Sequence, residues 1–278
     1  MENGLGKRPT IQEQIVSGFA QLHLPAMKRA FEEQNCNLAS FGTVPFNERL
    51  AALLTAEIEQ RKNNSLAKRL TKAHLSNPMA CPEMLEDIPG RDLNKEQILG
   101  LFTCDFIKQK RHVSIEGATG TGKTFLASAI VNAACRKGYK ARYLRLGDLL
   151  NELHLARTQG NLLSVRNAYM SYDLLVLDEF LLVPVTVAYA FDLLDLVDVC
   201  SGKCSLILCT QYPHDEWYDR IDSDRPTGSD STLAEAVLDR IIHHMETVLI
   251  NSDVSMRKHF TATGVAVVTS GENGKDEK

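Results

Sequence analysis

Eight consecutive residues constrain this chain more than any others. They are Gly117-Ala118-Thr119-Gly120-Thr121-Gly122-Lys123-Thr124, inside the stretch VSIEGATGTGKTFLASAIVNAACRKGY. Every fixed position of the pattern GxxxxGK[ST] is filled, a strand-like apolar run precedes it, and a helix-forming run that begins at Phe125 follows it. Glycine lets successive backbone N–H groups converge on an anion without side-chain obstruction, and the N-terminus of the following helix adds partial positive charge. A loop that only turned the chain would not need the lysine. The stretch is therefore expected to hold the triphosphate of ATP, with Lys123 reaching the β- and γ-phosphates and the Thr124 hydroxyl facing Mg²⁺.

Such a loop needs a second carboxylate on the metal side, at the end of a neighbouring strand. YDLLVLDEF supplies one: Leu174 to Leu177 form an apolar strand that ends in Asp178-Glu179. Asp178 is expected to hold Mg²⁺, directly or through water, and Glu179 to polarise an attacking water. Another strand, SLILCTQ, ends in Thr210-Gln211. Gln211 would orient water or touch the γ-phosphate, and a plain loop cap serves as well on chemistry alone. Farther on, LAEAVLDRIIHHMETVLI reads as an amphipathic helix carrying Arg240, followed by a strand. Arginine stabilises transferring phosphoryl charge when a neighbouring subunit supplies it, but by residue type alone Arg240 is more often a surface salt-bridge partner. His243 and His244 are adjacent and point apart on a helix, so they make a poor metal pair. Trp217 is read as a packing residue.

From Val113 onward, short apolar runs (VSIE, ARYLRL, DLLVLD, SLILCT) alternate with helical stretches, the pattern of a parallel sheet covered on both faces. Residues 1–76 read differently, as helices separated by polar turns. In the longest of these helices Arg61, Lys68 and Lys72 share one stripe with Lys62 and Arg69 beside it, while Leu66, Leu70 and Ala73 lie on another face. The basic side is either a solvated helix face or a track for DNA phosphates. Residues 77–92, rich in proline, read as a linker. Residues 93–262 read as the nucleotide-binding domain, and residues 263–278 as a polar tail lacking fixed structure. Asn94, with Gln97 three residues later, reads as a capping box.

The net charge of −4 excludes a globally basic nucleic-acid binder. The distribution is uneven, however: residues 1–76 hold ten Lys/Arg against seven Asp/Glu. DNA contacts must then come from local patches. No apolar run approaches the roughly 20 residues of a membrane helix, and MENGLGKRPTIQEQI contains no continuous apolar segment. A cytoplasmic protein without membrane contact is expected. The seven cysteines include no CxxC pair and read as buried, reduced thiols.

Several segments resemble the IstB family, ATP-binding helper proteins of bacterial insertion sequences. They are LHLPAMKRAFEEQ, ERLAALLTAEIEQRKN and AKRLTKAHL in the leader, then GATGTGKTFLASAIVNAACRKGY, DLLVLDEF, TQYPHDEW and LDRIIHHMETVLINSDVSMRK. The resemblance spans about residues 15–260. It implies an α/β fold: an AAA+ P-loop three-layer sandwich with a parallel sheet, preceded by a small all-helical domain. It also implies an ATPase related to DnaC-type helicase loaders. Family members bind duplex DNA with little sequence preference, assemble into ATP-dependent homo-oligomers and stimulate an IstA-type transposase. On this resemblance Lys123 and Thr124 match Walker A, and Asp178 and Glu179 match Walker B. Gln211 takes the sensor-1 position, Arg240 that of an arginine finger and Arg257 that of a weaker sensor-2 residue. The DnaC-like loader of a replicative helicase is the alternative. Two departures stand out: Leu181 occupies a place where the family often has glycine, and the loop DSDRPTGSDS at 222–231 is longer than usual.

Overall fold

The computed structural model describes residues 9–85, 91–226 and 228–252. Arg257 and the tail at 263–278 lie outside the described residues. The chain divides into two compact units, residues 1–68 and 69–278.

The first unit is helical. It comprises α1 (Ile11–Gln21), α2 (Pro25–Cys36), α3 (Leu38–Phe41) and most of α4 (Phe46–Ala73), inside which the division falls. Thr10 and Glu13 form a reciprocal capping box at the start of α1: the Thr10 hydroxyl accepts from the Glu13 amide, and the Glu13 carboxylate accepts from the Thr10 amide. Phe19 of α1 meets Phe31 of α2 edge to face. Glu57 of α4 is buried, and one of its oxygens accepts from the amides of Ala26 and Met27 at 2.9 and 3.2 Å, where α2 begins. A carboxylate there satisfies two amides that have no partner within the helix and faces the positive end of its dipole. Burial works against the charged form of Glu57, but Arg61 and the two amides outweigh it and hold the carboxyl below its usual range.

The second unit is built on a sheet. Its elements, in chain order, are β1 (Arg91–Asp92), α5 (Lys95–Phe102), α6 (Asp105–Lys108), β2 (His112–Glu116), α7 (Lys123–Arg136), β3 (Ala141–Arg145), α8 (Leu146–Thr158) and α9 (Leu162–Tyr169). There follow β4 (Leu174–Asp178), α10 (Val187–Cys200), β5 (Ser205–Thr210), α11 (Trp217–Arg220), α12 (Thr232–Ile242), β6 (Met245–Leu249) and β7 (Asn251–Ser252). Five strands pair in parallel in the order β3-β4-β5-β2-β6, and β1 pairs with β7 in a separate antiparallel ribbon.

Period-2 alternation divides the sheet residues between two cores. Leu175 and Leu177 of β4 and Leu206 and Leu208 of β5 join a cluster with α8, α10 and α12. Leu174, Val176 and Ile207, equally buried, belong to the opposite face, against which α7 packs. Every residue of α7 from Leu126 to Cys135 is buried. Its alanines let sheet and helices approach from both sides, so this helix is buried all round rather than on one face, its two polar residues Ser128 and Asn132 included. Trp217 is fully buried, with its ring edge to face on Phe180 and its indole N–H on the Tyr212 carbonyl.

Three sequence expectations change in detail. Asn94 does accept from the Gln97 amide at 3.1 Å. The Gln97 side chain, however, does not return to close a capping box; it donates to Glu246 and to the Thr247 carbonyl, tying α5 to β6. Cys36 is exposed and Cys81 half-buried, whereas the other five thiols are buried, and all seven are free. The strand ending in Asp178 is not the immediate neighbour of β2: β5 lies between them.

Candidate functional site

The parallel register brings three loops to the carboxyl end of the sheet, where ligands of open α/β sheets bind. Between β2 and α7, residues 117–122 form the glycine-rich loop. Gly120 and Gly122 have φ of +88° and +97°, left-handed values that disfavour side chains. A Cβ on Gly117 would lie 2.4 Å from the Ile250 carbonyl oxygen, so that position also excludes any larger residue. The Lys123 ammonium donates to the carbonyls of Gly117 and Ala118 at 2.6 and 2.8 Å, which keeps it over the loop. The Thr121 hydroxyl donates to the Ala118 carbonyl at 2.9 Å, while Phe125 is half-buried in the first turn of α7.

Thr124, also in that first turn, donates its hydroxyl to Asp178 Oδ2 at 3.1 Å. The contact reaches past the end of β5 to β4 and joins the two motifs that sequence placed 54 residues apart. Asp178 Oδ1 accepts from the Glu179 amide at 2.8 Å, and Oδ2 also accepts from the Tyr143 hydroxyl of β3. Burial and the Asp178 charge push the Tyr143 phenol far above its usual pKa, so it stays a donor. A hydroxyl and a carboxylate at the foot of a phosphate-type loop are the hard oxygen donors Mg²⁺ takes, with its other positions left to phosphates and water. The donor set fits the ion.

Glu179 has φ of +55°, a conformation costly for a residue with a side chain, and it is exposed with Arg145 Nε 3.7 Å from its carboxylate. Leu181, where the resemblance leads one to expect glycine, has φ of +53° and is fully buried. The turn is left-handed there, and burial of the leucine side chain offsets a strain of roughly 1–2 kcal/mol. Several contacts over-determine this turn. The Phe180 amide donates to the Cys209 carbonyl at 2.8 Å. The Arg220 guanidinium donates to the carbonyls of Leu181 and Leu182 at 2.6 and 2.7 Å, and lies over the Tyr212 ring. Arg220 and Tyr143 are the residues that reading the sequence missed. Each acts across the fold from a segment with no motif of its own, so no local signal marks either.

After β5, the Gln211 side-chain oxygen accepts from the Thr119 hydroxyl at 2.7 Å, linking this strand end directly to the glycine-rich loop. Arg240 of α12 is half-buried, pairs with Asp198 of α10 and donates to the Ala236 carbonyl. His243 contacts Asp239, and among the described residues no cluster of three or more His, Cys, Asp or Glu forms a metal site.

The basic side of α4 is less uniform than its composition. Lys62, Lys68 and Lys72 are exposed. Arg61 instead donates to Glu57 at 2.9 Å and to the His23 carbonyl at 3.2 Å. Arg69 donates to the Cys135 carbonyl at 2.8 Å, at the end of α7.

Fold and site together define an AAA+-type P-loop protein. Two structures share the fold. Over 69% of the present chain, AMPPCP-bound DnaA from Aquifex aeolicus superposes with a TM-score of 0.51 at 18% identity. So does a replication initiator DnaA bound to AMPPCP and single-stranded DNA. The chain spans 58% of the former and 57% of the latter. The sequence profile of the IstB-like ATP binding proteins matches residues 17–263, and the chain belongs to that family. It is 35% identical over 201 residues to a Pseudomonas fluorescens protein named as the ATP-binding protein of insertion sequence IS1162, covering 72% of this chain and 87% of that one. It is 32% identical over 238 residues to an insertion-sequence ATP-binding protein, y4uH, of Sinorhizobium fredii, covering 86% and 92%.

Proposed function

We propose that this protein is an ATP-hydrolysing helper of DNA transposition: it binds duplex DNA with little sequence preference, assembles with further copies of itself on that DNA in the presence of ATP, remodels it, and stimulates a partner transposase. The carrying observation is the joining of Thr124 to Asp178, with Glu179 adjacent, in a chain of the IstB-like family. This is the equipment for hydrolysis rather than mere storage of nucleotide.

In this reading the loop amides and Lys123 bind the triphosphate, and Thr124 and Asp178 hold Mg²⁺, which neutralises phosphate charge when bound. Glu179, freed from Arg145, orients or deprotonates the attacking water. Gln211, tethered to the loop by Thr119, reports on the terminal phosphate in this reading. Arg240 exchanges Asp198 for the nucleotide of a neighbouring copy, and Arg257 adds a further cation to the nucleotide. The exposed Lys62, Lys68 and Lys72 of α4 contribute phosphate contacts that make binding salt-dependent, while Arg61 and Arg69 stay on their protein partners. Bending a 20–30 bp site by 40–90° costs on the order of 1–6 kcal/mol, which several protomers would share before bent DNA is presented to the transposase. Among the described residues no helix is long and apolar enough to cross a membrane.

The test is co-purification and strand transfer. The protein is expected to retain an IstA-type transposase and raise its strand-transfer yield on duplex DNA with ATP. Retention of a replicative helicase in place of the transposase would replace this reading with that of a helicase loader.

A further inference from the structure

We propose that Tyr143 is a positioning residue for the magnesium-side carboxylate, fixing the orientation of Asp178 through its phenolic hydroxyl. The inference rests on the ATP–magnesium reading above and deepens it.

Asp178 closes β4 and pairs in register with Arg145, while Tyr143 pairs with Val176. Two residues along a strand share a face, so the tyrosine ring runs alongside the last residues of β4 and its hydroxyl arrives at the carboxylate. Tyr143 is only 5% exposed, so its side chain is packed in place. Both oxygens of Asp178 are thereby held from the protein side: Oδ1 by the Glu179 amide, Oδ2 by the hydroxyls of Tyr143 and Thr124.

The two hydroxyls have different duties. Thr124 sits in the first turn of α7, directly after the glycine-rich loop, and its oxygen is one of the two atoms offered to the cation. Tyr143 sits in the sheet, on a side chain packed into the core, and its hydroxyl donates to the carboxylate. Removing its oxygen would leave Oδ2 to Thr124 and loosen the orientation of Asp178, whose other oxygen keeps the Glu179 amide. Partners that orient a metal-binding carboxylate typically contribute 10–100-fold in metal affinity.

A second tyrosine provides the control. Tyr169 is also buried and its hydroxyl also donates to a carboxylate, that of Glu152, which the proposed site does not use. Removing that hydroxyl reproduces the loss of a part-buried Tyr–carboxylate bond without touching Asp178.

The experiment follows binding of a fluorescent, non-hydrolysable ATP analogue to the full-length chain during a magnesium titration, for the parent, Tyr143→Phe and Tyr169→Phe. Expected is a rise of about tenfold in the magnesium concentration at half-saturation for Tyr143→Phe, with affinity at saturating magnesium preserved and Tyr169→Phe superimposing on the parent. A Tyr143→Phe curve that coincides with the parent, or equal displacement of both variants, overturns the positioning role while leaving nucleotide binding intact. A parent protein that binds no analogue in the presence of magnesium takes down both this inference and the function on which it rests. Should Tyr143→Phe not fold, ring-fluorinated tyrosine at position 143 keeps the hydroxyl. Its ¹⁹F resonance must shift when magnesium is added to the nucleotide-loaded protein, and an unmoved resonance overturns the proposal.

Discussion

The carboxyl end of the sheet and the basic side of α4 are both marked by residue type, yet the fold treats them differently. At the sheet, two functional side chains have several partners each: Asp178 accepts from three donors and Lys123 donates to two carbonyls. On α4, Lys62, Lys68 and Lys72 stand exposed, while Arg61 and Arg69 are occupied by a carboxylate and by backbone carbonyls. Side chains that must place a charge within a fraction of an ångström are over-determined. Those that need only contribute positive potential to a phosphate backbone can remain solvated, because Coulomb attraction tolerates displacement where coordination geometry does not.

The sharpest way to break this contrast is Lys123→Ala. Loss of the ammonium over the loop is expected to weaken ATP binding by about 100-fold or more, measured by calorimetry. Unchanged affinity would remove the sheet end as the nucleotide site. Next comes Glu179→Gln, which keeps size and hydrogen bonding but removes the base. Turnover is expected to fall by about 10²–10⁴-fold with ATP affinity retained, and normal phosphate release would disqualify Glu179.

Arg220→Ala probes the rigidity of the site rather than its chemistry. The carbonyls of Leu181 and Leu182 lose a charged donor, so thermal stability is expected to fall by about 2–3 kcal/mol and turnover with it. An effect on stability without any on turnover would separate the turn from the placement of Glu179. Mixing Arg240→Ala with Lys123→Ala protein is expected to restore part of the ATPase activity that each lacks alone. Absence of rescue at every ratio would leave Arg240 as the partner of Asp198 and no more.

The smallest effects belong to α4. Replacing Lys62 and Lys68 with alanine is expected to lower the salt dependence of DNA binding by about one unit of log–log slope per lysine, with no change in sequence preference. Arg61→Ala should instead cost stability, because it unpairs the buried Glu57. A melting curve unmoved by Arg61→Ala would return that arginine to the DNA-facing group.

Much of the nucleotide site was legible because its signal is local. GATGTGKT encodes its function within eight residues, and LLVLDEF announces a buried strand with two acids at its end. The four sheet runs within 113–210 and the strand after Arg240 emerge close to the bounds their apolar spans mark. Leu181 shows where that legibility stops. A leucine in a left-handed turn contradicts local preference, and only Phe180 on Cys209, Arg220 on the turn carbonyls and burial of the leucine itself make it tenable.

The amino-acid sequence alone determined that a glycine-rich anion loop joins a buried strand to a helix, that two acids end a second strand, and that helices precede them. These are properties of short spans whose backbone freedom and hydrophobic period are set by neighbours along the chain. Only the tertiary structure decided that β5 separates the two motif strands, that Thr124 and Tyr143 converge on one oxygen of Asp178, and that two of the five basic residues on α4 hold the protein itself together. Those outcomes depend on pairing order and side-chain reach between segments distant in sequence, where packing and hydrogen-bond satisfaction override what any single residue prefers.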